Sequence, residues 1–132
     1  MDLIADTTFL VGLWRKQPWA TRFSVLRRDR TLGIPWVVLG EFWHGAIRAG
    51  HEENRVREFL SIGLPLCETE PVVPHYARLC ATIQDLPGWR QIGQNDLWIT
   101  ATALAYRCPL VTRNLRHFGS MPGLVVEVLE NH

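Results

Sequence analysis

Short apolar runs alternate with longer stretches of helical spacing along nearly the whole chain. Leu3-Ile4-Ala5 is an apolar run that stops at Asp6-Thr7-Thr8, where Thr7 or Thr8 is suited to cap a helix through Trp14. A second helix is expected over Trp19 to Arg28. Leu32-Gly33-Ile34 reads as a brief buried strand, and Pro35 suits the first turn of a helix reaching about Ala49, where Gly50 stops it. Helical spacing returns from His51 to Ile62 through Val56, Phe59 and Leu60, and Leu64 to Cys67 is a third strand. Pro71 or Pro74 opens a helix through Tyr76, Leu79, Cys80 and Ile83, which Asp85-Leu86-Pro87-Gly88 ends with turn chemistry. Asn95 to Tyr106 is an alanine-rich, strongly apolar helix without proline or glycine. Leu110-Val111-Thr112 and Leu124 to Leu129 complete the strands, the last after the turn Met121-Pro122-Gly123.

Strands that alternate with helices predict an α/β protein whose mostly parallel sheet, of about five strands, is covered on both faces. At 132 residues, with no repeat or linker, the expectation is a single domain over 1–132. A content of 47% hydrophobic and 20% charged residues is ordinary for a globular protein and argues against extended disorder. No apolar run approaches the roughly 20 residues that span a bilayer. The N-terminus lacks a basic segment before an apolar one, so a cytoplasmic protein is expected. Cys67, Cys80 and Cys108 are widely spaced and suggest core thiols rather than disulfides or a zinc site. The net charge of +1 is too small to advertise nucleic-acid binding in bulk. Its positive part is almost all arginine, however, Lys16 being the only lysine, and Arg15, Lys16, Arg22, Arg27, Arg28 and Arg30 crowd the first quarter as a solvated helix face or a phosphate-contacting patch.

Three acids stand alone in apolar surroundings. Asp6 is the only charged residue between Leu3 and Trp14, Glu41 the only one between Thr31 and Ile47, and Asp96 the only one between Gln91 and Tyr106. An ionised carboxylate buried without a partner is so unfavourable that it tends to neutralise, and no local lysine or arginine is spaced to pair with these three. Each has an ordinary explanation when taken singly: Asp6 as a cap, Asp96 facing a helix dipole, Glu41 pointing to water. Together they suggest more, because Asp6 falls at the carboxyl end of the first strand, where open α/β sheets bind ligands. If they converge, a hard divalent cation with oxygen ligands relieves their repulsion, with Mg2+ or Mn2+ the natural choice. Phosphodiester hydrolysis follows from such a site, with the Thr7 or Thr112 hydroxyl as candidate contacts to the substrate.

At these residues the sequence resembles the PIN-domain family, and within it the VapC toxins of toxin–antitoxin pairs. The resemblance runs along nearly the whole chain. It rests on Asp6-Thr7 after an apolar strand, on Glu41 before Phe42-Trp43-His44-Gly45-Ala46, and above all on the stretch from Gly93 to Phe118, with Gln-Asn-Asp-Leu-Trp-Ile-Thr and then Leu-Val-Thr-Arg-Asn-Leu-Arg-His-Phe. The resemblance implies a three-layer α/β/α sandwich, Mg2+- or Mn2+-dependent endoribonuclease activity on RNA, homodimerisation and neutralisation by a cognate VapB-type antitoxin. Carried across by position, Asp6, Glu41 and Asp96 match the acidic metal-site residues. Asn114 stands where many such domains have a fourth acid; its amide brings no charge, so one tightly held ion is the expectation. Arg113 and Arg116 flank the same loop as candidates to hold neighbouring phosphates. His117 is expected as a surface residue closing a turn before core Phe118, with RNA contact as the alternative.

Rival chemistries fail on residues. A receiver domain needs a late lysine, a haloacid-type phosphatase needs D-x-D where this chain has Asp6-Thr7-Thr8, and no G-x-x-x-x-G-K is present. Glu41-x-x-His44 lacks the second pair that a di-iron centre requires. The remaining alternative is a catalytically silent PIN-like binding module. Six tryptophans also exceed the evident needs of the core, so Trp14, Trp19 and Phe23 are expected either to fill it or to line an apolar groove for a partner.

Overall fold

The computed structural model describes residues 1–128. Its centre is a five-stranded sheet formed by β1 (Leu3–Ala5), β2 (Leu32–Pro35), β3 (Leu64–Leu66), β4 (Leu110–Thr112) and β5 (Val126–Val128), in the order β3-β2-β1-β4-β5. Every pairing is parallel, with Leu3 opposite Leu32, Ala5 opposite Val111, Ile34 opposite Pro65 and Leu110 opposite Val126. Parallel neighbours require crossovers. These are supplied by α1 (Thr7–Trp14), α2 (Pro18–Leu26), α3 (Trp36–Arg48), α4 (Glu53–Leu60), α5 (Val73–Ile83), α6 (Gln94–Tyr106) and α7 (Leu115–Phe118). The result is the expected α/β/α sandwich.

The inner strands β1, β2 and β4 are apolar because both of their faces are covered. Leu3, Ile4, Ala5, Ile34, Leu110 and Val111 are buried with Phe9, Leu10, Val38, Phe42 and Ile99 from the flanking helices. Burying one such large side chain contributes about 1.5–3 kcal/mol, so the short strands are held by their packing as much as by their ladders. A smaller cluster of Leu79, Ile83, Leu97 and Met121 fastens α5 to α6 and to the turn after α7.

Local chemistry accounts for some of the element ends. Pro18 opens α2 at its first position, where a missing N–H costs nothing. α3 stops as expected: Gly50 takes φ 77°, and the His51 N–H reaches back to the Ala46 carbonyl at 3.0 Å. Other expectations need correction. Asp6, not Thr7 or Thr8, caps α1, and Pro35 ends β2 and precedes α3 instead of sitting inside it. The short helix α7 and a single 3-10 turn at Trp89–Gln91 were not expected. The thiols are not core residues either: Cys67 is exposed, and Cys80 and Cys108 are half-buried. Leu129, expected to end the last strand, lies outside the described residues. Among the described residues, no helix is long and apolar enough to cross a membrane.

Candidate active site

The strand order reverses direction between β1 and β4, and this is where an open parallel sheet leaves a crevice at the carboxyl ends of its strands. Asp6 follows β1 at that point. Its N–H still donates to the Val111 carbonyl at 3.2 Å, while its extended backbone ends the strand and starts α1. Asp6 Oδ1 accepts from the Thr8 N–H at 2.5 Å, the Thr8 hydroxyl at 2.6 Å and the Phe9 N–H at 3.3 Å. The Thr112 hydroxyl, at the end of β4, donates to Asp6 Oδ2. With only 3% of Asp6 exposed, burial pushes its pKa above the ordinary value of 3.8, and these hydrogen bonds pull the other way.

Glu41 comes from the middle of α3, where Thr7 donates its hydroxyl to Oε1 at 2.7 Å. Asp96 lies in the first turn of α6, where the helix dipole favours a negative charge. His117 Nδ1 stands 2.8 Å from Asp96 Oδ2, with the side chains 53% and 20% exposed respectively. Asn114 precedes α7, and its N–H donates to the Thr112 hydroxyl oxygen at 2.9 Å. Asp6, Glu41, Asp96, Asn114 and His117 all line one cavity of about 510 Å3, with Thr7 and Thr8 on its wall.

The three solitary acids therefore share a cavity, and among the described residues none of them pairs with a lysine or arginine. Hydrogen bonds from Thr7, Thr8 and Thr112, and the contact with His117, supply the partners instead. The side chains do not close into a cage: among the described residues, no three of His, Cys, Asp and Glu are drawn together as an ion-holding group. Thr112 differs from its expected role as a substrate contact. It is 1% exposed, and its hydroxyl serves Asp6 and Asn114. Arg116 is exposed on α7 and is not on the cavity wall, whereas Arg113 turns to a neighbouring hollow. The aromatic side chains do not form one groove; Trp14, Phe23 and Trp19 line three separate hollows. His117 was placed by sequence at the surface; its contact with Asp96 had no signal beyond its nearness to Asn114.

Comparison with known proteins agrees with this architecture. The PIN domain family model matches residues 3–123. A protein named ribonuclease VapC1 of Haemophilus influenzae (strain R2866) is 29% identical over 123 residues, covering 89% of this chain and 90% of its own. One named ribonuclease VapC4, of Mycobacterium tuberculosis (strain H37Rv), is 30% identical over 132 residues and covers 93% of each. Among solved structures, VapBC-1 from nontypeable Haemophilus influenzae superposes with a TM-score of 0.77 at 26% identity, over 98% of both chains. The DNA-bound VapBC of Salmonella typhimurium, at 23% identity, shares the fold with a TM-score of 0.82 over 98% of this chain and 99% of that one. The chain belongs to the PIN domain family, in the company of the proteins named ribonuclease VapC.

Proposed function

We propose that this chain, read as one domain over 1–132, is a VapC-type endoribonuclease toxin that hydrolyses RNA phosphodiester bonds in the cytoplasm with a divalent metal ion. The observation that carries the reading is the meeting of Asp6, Glu41 and Asp96, none paired with a lysine or arginine, on one cavity at the switch point of the sheet. Its relatives' names support ribonuclease activity. Apart from the His117 imidazole, the donors on the cavity wall are carboxylates, hydroxyls and amides, which offer hard oxygen ligands of the kind that suit Mg2+ or Mn2+. Mg2+ usually keeps several waters and is bound directly by one or two carboxylates, so a spread set of acids, the rest reaching it through its waters, fits it better than a closed cage would. A bound Mg2+ or Mn2+ would supply charge to offset the phosphate and would acidify an attacking water.

The chain's own residues do the rest. Thr8 and Thr112 grip Asp6 from both oxygens and fix its direction, Thr7 orients Glu41, and Asp96 sits in the first turn of α6 with His117 against one of its oxygens. Asn114 adds an oxygen without charge, so one tightly held ion is the expected complement. Thr112 thus becomes a positioning residue rather than a substrate contact, while Thr7, Arg113 and Arg116 remain the candidates to meet RNA. A VapB-type antitoxin is the proposed partner, supported by the VapBC complexes among the similar structures, and homodimerisation is the proposed assembly. Incubation of purified protein with transfer and ribosomal RNA plus Mg2+ or Mn2+, followed by sequencing of the new ends, tests the activity. Discrete cleavage that Asp96→Asn abolishes is expected. Intact RNA, together with equal growth of cells expressing wild type and Asp96→Asn without antitoxin, would favour the silent binding module.

A further inference from the structure

Beside the acid cavity lies a second hollow of about 470 Å3, and the two share Thr7 and Thr8 as a common wall. Its character is opposite. No acid lines it; Arg15 and Arg113 are its charged residues, and Trp19 and Gln17 complete the part that matters here. The Arg113 guanidinium carbon stands 4.2 Å from the centroid of the Trp19 ring. The benzene edge of that ring presses on Gly12, where an added Cβ would fall 2.2 Å from Trp19 Cη2. The edge of Trp19 is therefore held against helix α1, while Arg113 over the ring is exposed. The Arg113 backbone is also fixed to the acid site: its N–H donates to the Thr8 hydroxyl oxygen at 3.2 Å, and that hydroxyl donates to Asp6 at 2.6 Å.

We infer that this hollow is a nucleobase subsite for single-stranded RNA, in which Arg113 laid on Trp19 stacks the base next to the cleaved phosphodiester and Arg15 meets the adjoining phosphate. The inference rests on the nuclease reading for its substrate class. A planar cation on an aromatic ring is a stacking surface for any base, and stacking is how single strands with splayed bases are held. The charge division suits a strand that runs through both hollows: the basic side attracts the polyanion that the acidic side would repel in the absence of a metal ion. An acidic peptide segment of an antitoxin would meet the same arginines, but a peptide gains little from a flat, rigid platform tied through the Thr8 hydroxyl to Asp6.

The test is binding of a fluorescein-labelled, mixed-sequence single-stranded RNA 12-mer by anisotropy, in the Asp96→Asn background so that nothing is cleaved, with an abasic site moved along the strand. Arg113 is exposed, so its variants leave the fold intact; Arg78→Ala on α5 serves as the charge-matched control. We expect one abasic position to weaken binding by roughly fivefold to a hundredfold, the range of one base stacked on a side chain. Arg113→Ala should erase that position's effect, and Arg113→Lys, which keeps charge but loses the plane, should behave like Arg113→Ala. Trp19→Leu should do the same. Full recovery in Arg113→Lys, or abasic insensitivity at every position, would overturn the stacking subsite. So would an Arg113→Ala protein that binds RNA normally yet no longer captures its co-expressed antitoxin, an outcome that assigns the hollow to a peptide. The nuclease reading fails separately, if wild-type protein with Mn2+ leaves RNA uncut while the abasic-sensitive position persists.

Discussion

Thr112, the last residue of β4, donates its hydroxyl to Oδ2 of Asp6, which follows the last residue of the neighbouring β1. The same hydroxyl oxygen accepts the N–H of Asn114 at 2.9 Å, so one buried group ties two strand ends and the loop after β4 into a single unit. Thr112→Val keeps the shape and removes the hydroxyl. It leaves a buried carboxylate oxygen and a backbone N–H short of partners, which costs about 1–3 kcal/mol each way such groups are orphaned. Urea unfolding should show a loss in that range, with RNA cleavage lowered more than folding explains. Thr112→Ser, which restores the donor, should recover most of both. A Thr112→Val protein as stable and active as wild type would remove Thr112 from the site.

Burial raises the pKa of Asp6, and the sign of its effect on stability follows. The folded state holds this proton more tightly than the unfolded state, so the contribution is fully present below pH 3.8 and is lost as pH rises through the raised folded value. Near neutrality the metal-free protein therefore carries a buried charge at a cost. Asp6→Asn removes that charge and keeps a capping oxygen. In EDTA it should be at least as stable as wild type at about pH 7, with its advantage shrinking as pH falls toward about 4, while cleavage is lost. Unfolding curves at both pH values check this, and an advantage that grows in acid would reverse the assignment.

Two helical glycines make opposite predictions. Gly12 is pressed by Trp19, whereas a Cβ at Gly40, on the exposed face of α3, would meet nothing within 4 Å. Alanine gains about 1 kcal/mol over glycine inside a helix, so Gly40→Ala should stabilise by up to that amount. At Gly12 the same gain is set against overpacking of about 1–3 kcal/mol, and a net loss is expected. Thermal melts of both variants decide it; a stabilised Gly12→Ala protein would mean that Trp19 is free to move and is not a fixed platform.

Much of this arrangement was legible along the chain. The inner strands β1, β2 and β4 are apolar runs bounded by turn residues, because both of their faces are buried, while the edge strands β3 and β5 carry the exposed Leu64 and the charged Glu127. The acids stood out for the lack of charge around them, a pattern that survives folding as a shared cavity. What sequence could not resolve depended on tertiary neighbours. Asp6, Thr7 and Thr8 are all competent caps, and the choice falls to Asp6 because the pairing of β1 with β4 ends just before it. α7 has four residues and so no periodicity to detect. Thr112 read as a strand-end hydroxyl free to meet substrate, yet the closeness of β4 to β1 spends it on Asp6.

His117 sits 2.8 Å from Asp96 and is largely exposed, so the contact is worth no more than about 1 kcal/mol to folding. Its importance lies in competition. With its nitrogen on Oδ2, it occupies an oxygen that a cation would otherwise use. His117→Ala should leave the melting temperature nearly unchanged and lower the Mn2+ concentration that gives half-maximal cleavage. A higher Mn2+ requirement would mean that His117 holds Asp96 in its binding position instead.

On the proposed reading, Asp6, Glu41 and Asp96 together hold one divalent cation. Mn2+ titration followed by electron paramagnetic resonance measures that directly, because bound and free Mn2+ give different signals. One Mn2+ per chain should bind to wild type, with Asp6→Asn, Glu41→Gln and Asp96→Asn each weakening it at least tenfold while their circular dichroism stays native. Equal Mn2+ binding by wild type and all three variants would rule out a cation shared by these three acids.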